Sequence, residues 1–575
     1  MQDQKLDNLL NLALDSTMEE REKSLNLNIG YNEELRLWDV IVKYSGGISG
    51  LEGEGITVTP LLGGYAVVTL PESQLVAYSA RPQVEFVEKP KRLFFEVYQA
   101  KAASCIRSVQ IGQEGLSGKG VLVGIVDSGV DYRHLDFCNE DGTTRILKYW
   151  DQSVKGNPPK GYYIGTEYTK EQIDEALFLT EEEGRCLVPG RDASGHGTAV
   201  LGIAAGNGRG SKEINQGVAY ESELLVVKMG LPRENSFPRT IELIQGIDYL
   251  IRQAQELGRP IAINISFGNN YGSHKGDSLL ETYIDNASNV GRTVICVGTG
   301  NNGNDKLHMG GRVTQGESKE IEFGISEYET GLNIQLWKSY ADQMEVYIEN
   351  PSGERVGPLY EVLGAQRNRM GDTELLAYYG KPAPFQVTQE IYIDFLPIGT
   401  YLDSGVWKII LRGREIKEGD FYMWLPGGNV LNVNTGFFLP RALGTLTIPS
   451  TAGRVISVGA YDSRLNAYAD FSGRGGSFLP FRKPDLAAPG VDITAPRAGG
   501  GYIQVTGTSF ATPFVTGGAA LLMEWGIIEG NDAFLFGEKV KAYLRRGAKT
   551  LPGYGRYPNP EIGYGVLCVR NSIPE

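Results

Sequence analysis

The chain has 575 residues, 41% hydrophobic and 22% charged, which excludes wholesale disorder and exceeds what one compact core usually holds, so two or three structural units are expected. With 55 Lys+Arg against 69 Asp+Glu the formal net charge is −14, which argues against nucleic acid as the main partner. The five cysteines are odd in number and include no CxxC pair, so neither a disulfide scaffold nor a zinc cluster is expected.

The N-terminus has early acids and no basic region leading into an apolar core with a small-residue cleavage site. No secretory signal is expected, and the protein is expected to stay inside the cell. No apolar run long enough to cross a membrane is expected either. Leu6, Leu9, Leu10 and Leu14 fall at helical spacing, and Ser16 with Glu19 resembles a capping box. Strands are predicted over 38–44, 65–70 and 83–88, with a helix over 71–80. The order β, β, α, β describes a small α+β unit over 1–98.

The next stretch has a different pattern. Residues 121–126 read VLVGIV, a near-continuous apolar run of the kind found in strands buried on both faces. Similar runs recur at 224–227, Ile261–Ile265, 294–297 and 455–458, with helices predicted over 239–256 and 279–290. Alternating strands and helices predict a doubly wound parallel sheet, an α/β fold whose functional groups belong at the carboxyl ends of the strands. Residues 305–444 break this pattern. Met344, Val346 and Ile348 alternate with polar residues before the turn Asn350-Pro351-Ser352-Gly353, and Trp407, Ile409 and Leu411 repeat the alternation. With further strands at 391–396 and 421–425, this predicts an inserted antiparallel β-sandwich or jelly roll. The α/β unit is therefore split into 99–304 and 445–575.

Three short patterns carry chemistry. Asp127 stands where a buried strand ends, in Val126-Asp127-Ser128-Gly129. His196 lies in Ser194-Gly195-His196-Gly197-Thr198 and opens a run of small residues. Ser509 lies in Gly507-Thr508-Ser509-Phe510-Ala511-Thr512-Pro513, at the start of a helix, with Pro513 placed in its first turn. Taken singly, these read as a turn acid, a loop histidine and an N-cap serine. Taken together, they supply an acid, a base and a nucleophile in the order Asp, His, Ser, which is the order of the subtilisin triad. On VDSGVD, GHGT and GTSFATP the chain resembles the subtilisin-like serine proteases.

That resemblance implies that Ser509 attacks the scissile carbonyl, that His196 takes its proton, and that Asp127 holds the imidazole. It implies that Asn301, the last residue of the run VICVGTGN, donates to the oxyanion. It also implies that Ser266, Phe267 and Gly268 with Gly298, Thr299 and Gly300 wall the groove for an extended peptide. The family commonly has a small apolar residue where Thr299 stands, which leaves preference at the first pocket open. Residues 1–98 then read as a prodomain that chaperones folding and afterwards inhibits. Cleavage is expected near 95–103, with Tyr98, Gln99 and Ala100 beside the cut. No cofactor is required. Asp136 lies where some relatives place a calcium ligand, but the companion loop 206–217 does not clearly reproduce theirs, so calcium is left open.

The prodomain, the missing signal and the inserted β unit resemble the Csp proteases of clostridia and related anaerobes. That subgroup implies a bacterial spore-associated protease that activates a cortex-lytic zymogen during germination. Its expected partners are a protein or peptide substrate and its own prodomain. Two other readings compete: a pseudoprotease acting as sensor or scaffold, and a β insert that binds glycans through Trp337, Trp407 and Trp424.

Overall fold

The computed structural model describes residues 4–24, 26–91, 94–95, 103–111, 114–230, 238–427 and 430–574. The chain forms two compact units. One comprises Leu93–Gly268, Leu280–Gly303 and Thr445–Glu575; the other comprises Met1–Arg92, Asn269–Leu279 and Asn304–Gly444.

The first of these is built on a nine-stranded sheet. Its parallel core runs Leu486–Pro489, Ile456–Asp462, Thr293–Gly298, Ile261–Ile265, Leu122–Asp127, Glu223–Lys228, Ile146–Asp151, in spatial order. Two short antiparallel strands, Ala467–Tyr468 and Thr166–Thr169, close its flanks. Every residue of Leu122–Asp127, Ile261–Ile265 and Thr293–Gly298 is buried, which is why these stretches read as unbroken apolar runs rather than alternating ones. The expected helices form as Thr240–Glu256 and Leu279–Ala287, and two more, His196–Ala205 and Thr508–Met523, carry the candidate site.

Thr508–Ile528 is long and apolar enough to cross a membrane by length and composition, contrary to the sequence expectation; 83% of its most apolar 18-residue window is buried inside the protein. Its apolar character fits a helix buried throughout Thr508–Met523 that reaches solvent only toward Ile528. Cys105 and Cys568 form a disulfide across 463 residues of sequence, a single tie that cysteine spacing did not reveal.

The other unit contains the N-terminal segment and the inserted β segment. Leu37–Tyr44 pairs with Tyr65–Pro71, Tyr31–Asn32 and Val84–Glu88, and Thr57–Leu61 completes the sheet. That last strand was missed because Pro60 sits inside it and only part of it is buried. The capping box is shifted by one residue from the expected Ser16/Glu19 pair. Thr17 accepts from the Glu20 N–H, and Glu20 accepts from the Thr17 N–H; Ser16 instead ends the preceding helix, Asn8–Asp15.

The inserted segment folds as two antiparallel sheets of six and five strands that share one apolar core. Trp337, Trp407 and Trp424 are all buried, so none offers a face to a sugar. Trp424 is sandwiched between His274 and His308, with ring centroids 4.1 and 4.6 Å away. Burial pushes His308 down to about 3.

The N-terminal segment and the insert share a core: Leu9, Leu10 and Leu12 cluster with Leu376, Tyr378, Tyr392 and Leu396. Carboxyl groups are buried around it. Asn8 donates to Glu390 (3.2 Å), Asp7 accepts from the Leu10 N–H (2.6 Å), and Ser24 donates to Asp394. Burial raises Asp7, Glu390 and Asp394 each to about 7; the neighbouring Glu88 adds to the shift at Asp7 and Glu390, while Lys91 and Lys89 work against it.

These carboxyls are held above their unfolded values of 3.8 and 4.5. Folding therefore takes up protons, and the stability they contribute is full below about pH 4 and lost as pH rises through about 7. Amide exchange in Asn8–Asp15 and Val84–Glu88, corrected for intrinsic rates, should be slower at pH 5.5 than at pH 7.5, and the double substitution Asp7→Asn, Glu390→Gln should flatten that difference.

Candidate active site

Asp127 is the last residue of the central strand Leu122–Asp127. His196 is the first residue of the helix His196–Ala205. Gly195, which precedes it, has φ +74°, a conformation L side chains rarely adopt. Gly197, which follows, faces the strand end: a Cβ there would lie 2.1 Å from the Gly129 carbonyl and 3.1 Å from Asp127 Oδ1. Glycines on both sides of the histidine therefore have separate physical reasons, one conformational and one steric. Together they let the helix start against the strand.

His196 Nδ1 is 2.6 Å from Asp127 Oδ1, with the two side chains 0% and 1% exposed. With Nδ1–H donating to the carboxylate, Nε2 is left as the basic nitrogen. Asp127 Oδ1 also accepts the Ser128 N–H at 2.8 Å. The imidazole packs against Phe510, 5.3 Å between centroids, and Phe267, at 6.1 Å.

Ser509 is the second residue of the helix Thr508–Met523 and is 1% exposed. Its hydroxyl donates to the Ser266 carbonyl at 3.4 Å. Pro513 lies beyond the first turn where the sequence placed it. It lacks the N–H that would bond the carbonyl of Ser509 four residues back. The hydroxyl of Ser266 donates to that carbonyl at 2.9 Å instead. Ser266 thus repairs a gap in the helix that carries Ser509. Asn264 Nδ2 donates to Ser266 Oγ at 2.9 Å, and Thr516 Oγ1 donates to Asn264 Oδ1 at 2.9 Å, so strand end and helix are tied twice.

Asn301 is oriented by Thr508. Its Oδ1 accepts from the Thr508 N–H (2.9 Å) and hydroxyl (3.2 Å), which leaves the amide nitrogen as the outward donor. The Ser509 N–H lies in the first helical turn, where no intrahelical acceptor exists. The Asn301 amide nitrogen and the Ser509 N–H are thus the two donors that this arrangement leaves for a ligand.

The groove residues are brought together in the same unit. Ser266, Phe267 and Gly268 leave the end of Ile261–Ile265, and Gly298, Thr299 and Gly300 leave the neighbouring strand. Thr299 is turned inward: it is fully buried and its hydroxyl lies 3.3 Å from Ser472 Oγ. Thr447, passed over in the sequence, stands between the walls. A Cβ on Gly268 would meet its Oγ1 at 2.5 Å, and a Cβ on Gly300 would meet its Cγ2 at 2.4 Å. No local motif marks Thr447; the two glycines facing it were the available signal.

Phe94–Phe95 pairs antiparallel with Phe267–Gly268. Tyr98, Gln99 and Ala100 lie outside the described residues. Asp136 accepts from the Tyr502 hydroxyl at both oxygens (2.8 and 2.9 Å) and from the Gly210 N–H (2.8 Å).

Comparison with known proteins matches this architecture. A family model described as Csp protease B prodomain matches residues 4–91, and one described as Subtilase family matches 118–324 and 427–565. The solved structure of the Clostridium perfringens CspB protease is similar with TM-score 0.75 and 38% identity, covering 82% of this chain and 95% of that one. Minor extracellular protease Vpr of Bacillus subtilis is 25% identical over 478 residues, 80% of this chain and 52% of its own length. PIII-type proteinase of Lactococcus lactis is 23% identical over 499 residues, 79% of this chain and 24% of its own. The chain thus spans about half or less of these two curated relatives.

The steric reading of Gly197 has a direct consequence. Gly197→Ala should lower stability by about 1–3 kcal/mol, because the added methyl forces the helix away from the strand end. Denaturant unfolding of the two forms checks this, and an unchanged midpoint would show that the contact yields without cost.

Proposed function

The chain belongs to the subtilase family, and we propose that it is a serine endopeptidase made as a self-processing proenzyme. The observation that carries this reading is the buried 2.6 Å pair of Asp127 and His196 beside a serine at a helix N-terminus. The reaction requires the Ser509 hydroxyl, which bonds the Ser266 carbonyl in this structure, to turn to His196 Nε2. His196 takes the proton as Ser509 Oγ bonds the scissile carbonyl carbon, and Asp127 stabilises the imidazolium. Asn301 Nδ2 and the Ser509 N–H receive the oxyanion. His196 then protonates the leaving amine, the acyl-enzyme forms, and water reverses the sequence.

Substrate adds as a strand along Ser266–Phe267–Gly268, the β-augmentation mode. The antiparallel pairing of Phe94–Phe95 on Phe267–Gly268 supports a prosegment tail that uses the same edge, first as substrate and then as inhibitor. Resemblance to the Csp subgroup extends the proposal to activation of a cortex-lytic zymogen in a germinating spore, with an intracellular or spore-associated location. A sensor or scaffold role is disfavoured by the presence of all four groups, Asp127, His196, Ser509 and Asn301.

Intact mass spectrometry of the purified chain should show a cut within 95–103 and addition of a fluorophosphonate probe, both lost in Ser509→Ala. If both forms stay whole and unlabelled, the protease reading fails. Asn301→Ala should lower kcat by roughly 10²–10³-fold with KM little changed, because the donor acts on charge that exists only in the transition state; steady-state kinetics on a chromogenic peptide read this directly.

A further inference from the structure

Asp192 lies four residues before His196, outside every motif read from the sequence, and is 6% exposed. Its carboxylate accepts five hydrogen bonds. Oδ1 receives the hydroxyls of Ser128 (2.7 Å) and Ser194 (3.1 Å) and the Gly195 N–H (2.9 Å). Oδ2 receives the Thr198 N–H (2.8 Å) and hydroxyl (2.7 Å). These donors come from two sources: the start of the helix that His196 opens, and the residue that follows Asp127. Gly195 offers that helix no side-chain cap, so Asp192 satisfies donors the helix end leaves open.

The informative atom is the hydroxyl proton of Ser128. Ser128 Oγ lies 2.7 Å from Asp192 Oδ1 and 3.2 Å from Asp127 Oδ1, and it already accepts the Gly197 N–H at 3.0 Å. A hydroxyl has one proton to donate. The shorter, charge-assisted bond to Asp192 takes it, and Asp127 Oδ1 keeps its share of charge for the imidazole of His196.

We propose that Asp192 is a positioning residue for the reaction: it holds the Ser128 hydroxyl off Asp127 and fixes the helical turn that carries His196. The inference rests on the triad reading of Asp127 and His196. An asparagine at 192 would keep one acceptor for the helix and turn its NH₂ toward Ser128 Oγ. The Ser128 proton would then swing to Asp127 Oδ1. That extra donor stabilises the carboxylate without the imidazolium, so His196 becomes a weaker base and its titration moves to lower pH.

The test uses the processed full-length enzyme and its Asp192→Asn, Ser128→Ala and doubly substituted forms, with kcat and KM followed against pH on a chromogenic peptide. Asp192→Asn should lower kcat on the order of ten- to a hundredfold, with KM within about threefold. The acid limb should move to lower pH. Removing the Ser128 hydroxyl in that background should return the limb toward the parent position, a rescue that a merely structural acid would not show. An unmoved limb in Asp192→Asn, or a limb that stays displaced in the double variant, overturns the proposal. If Asp192→Asn does not fold, Ser128→Ala alone decides. With the hydroxyl directed at Asp192, its removal leaves the acid limb in place; a displaced limb means the proton belonged to Asp127 and sinks the idea. A parent enzyme without hydrolysis fails the protease reading and this one together, whereas an active parent with an unmoved variant fails this one alone.

Discussion

The bond between Asp127 Oδ1 and His196 Nδ1 sets the terms for its surroundings. A carboxylate and an imidazole removed from water cost several kcal/mol unless each polar atom is satisfied. The structure meets that demand at Asp127 Oδ1 with fixed backbone and side-chain groups, whereas Oδ2 is buried with no hydrogen-bond partner among the described residues. Asp127 takes the N–H of Ser128, and Ser128 is in turn held by Asp192 and Gly197. Bringing a helix start to a strand end at 2.6 Å leaves no room for a methyl at 197. The small residues around the histidine therefore follow from the geometry of the pair.

The serine side of the site obeys a related constraint. A proline four residues after Ser509 deprives the helix of one hydrogen bond, and a neighbouring strand end supplies the replacement through Ser266. The repair couples the nucleophile's helix to the edge on which a peptide would pair. Thr508 performs a similar double task, orienting the Asn301 amide and accepting the Gly300 N–H at 3.1 Å. Ser509, Asn301 and Gly300 are thus positioned by one small set of hydroxyls and amides.

Much of this was legible in the sequence, for physical reasons. Strands buried on both faces cannot hide, because nearly every residue is apolar; 121–126 and Ile261–Ile265, whose one polar residue is Asn264, were found that way. The catalytic candidates were legible because each short pattern falls at an element end: Asp127 at the end of a buried strand, His196 and Ser509 at the starts of helices. What escaped were features made by the third dimension. Thr447 touches glycines 179 and 147 residues earlier in the chain, at Gly268 and Gly300, and its own surroundings carry no signature. Asp192 reads locally as a surface acid. Thr57–Leu61 was obscured by Pro60, and the capping box by two adjacent candidates, Ser16 and Thr17, of which only one can lie beyond the preceding helix. The Cys105–Cys568 tie spans nearly the whole chain and has no spacing to read.

The N-terminal unit shows how the same physics can work against stability. Asp7, Glu390 and Asp394 are buried where the segment meets the insert, and Lys89 and Lys91 offset only part of the penalty. Apolar contact between Leu9, Leu10 and Leu12 and Leu376, Tyr378, Tyr392 and Leu396 must outweigh that penalty for the two to share a core. A purely apolar seam would be stronger and insensitive to pH. Protonation makes this one tighter in acid and looser above neutrality, so the hold of the insert on the N-terminal segment is set by proton activity as well as by packing.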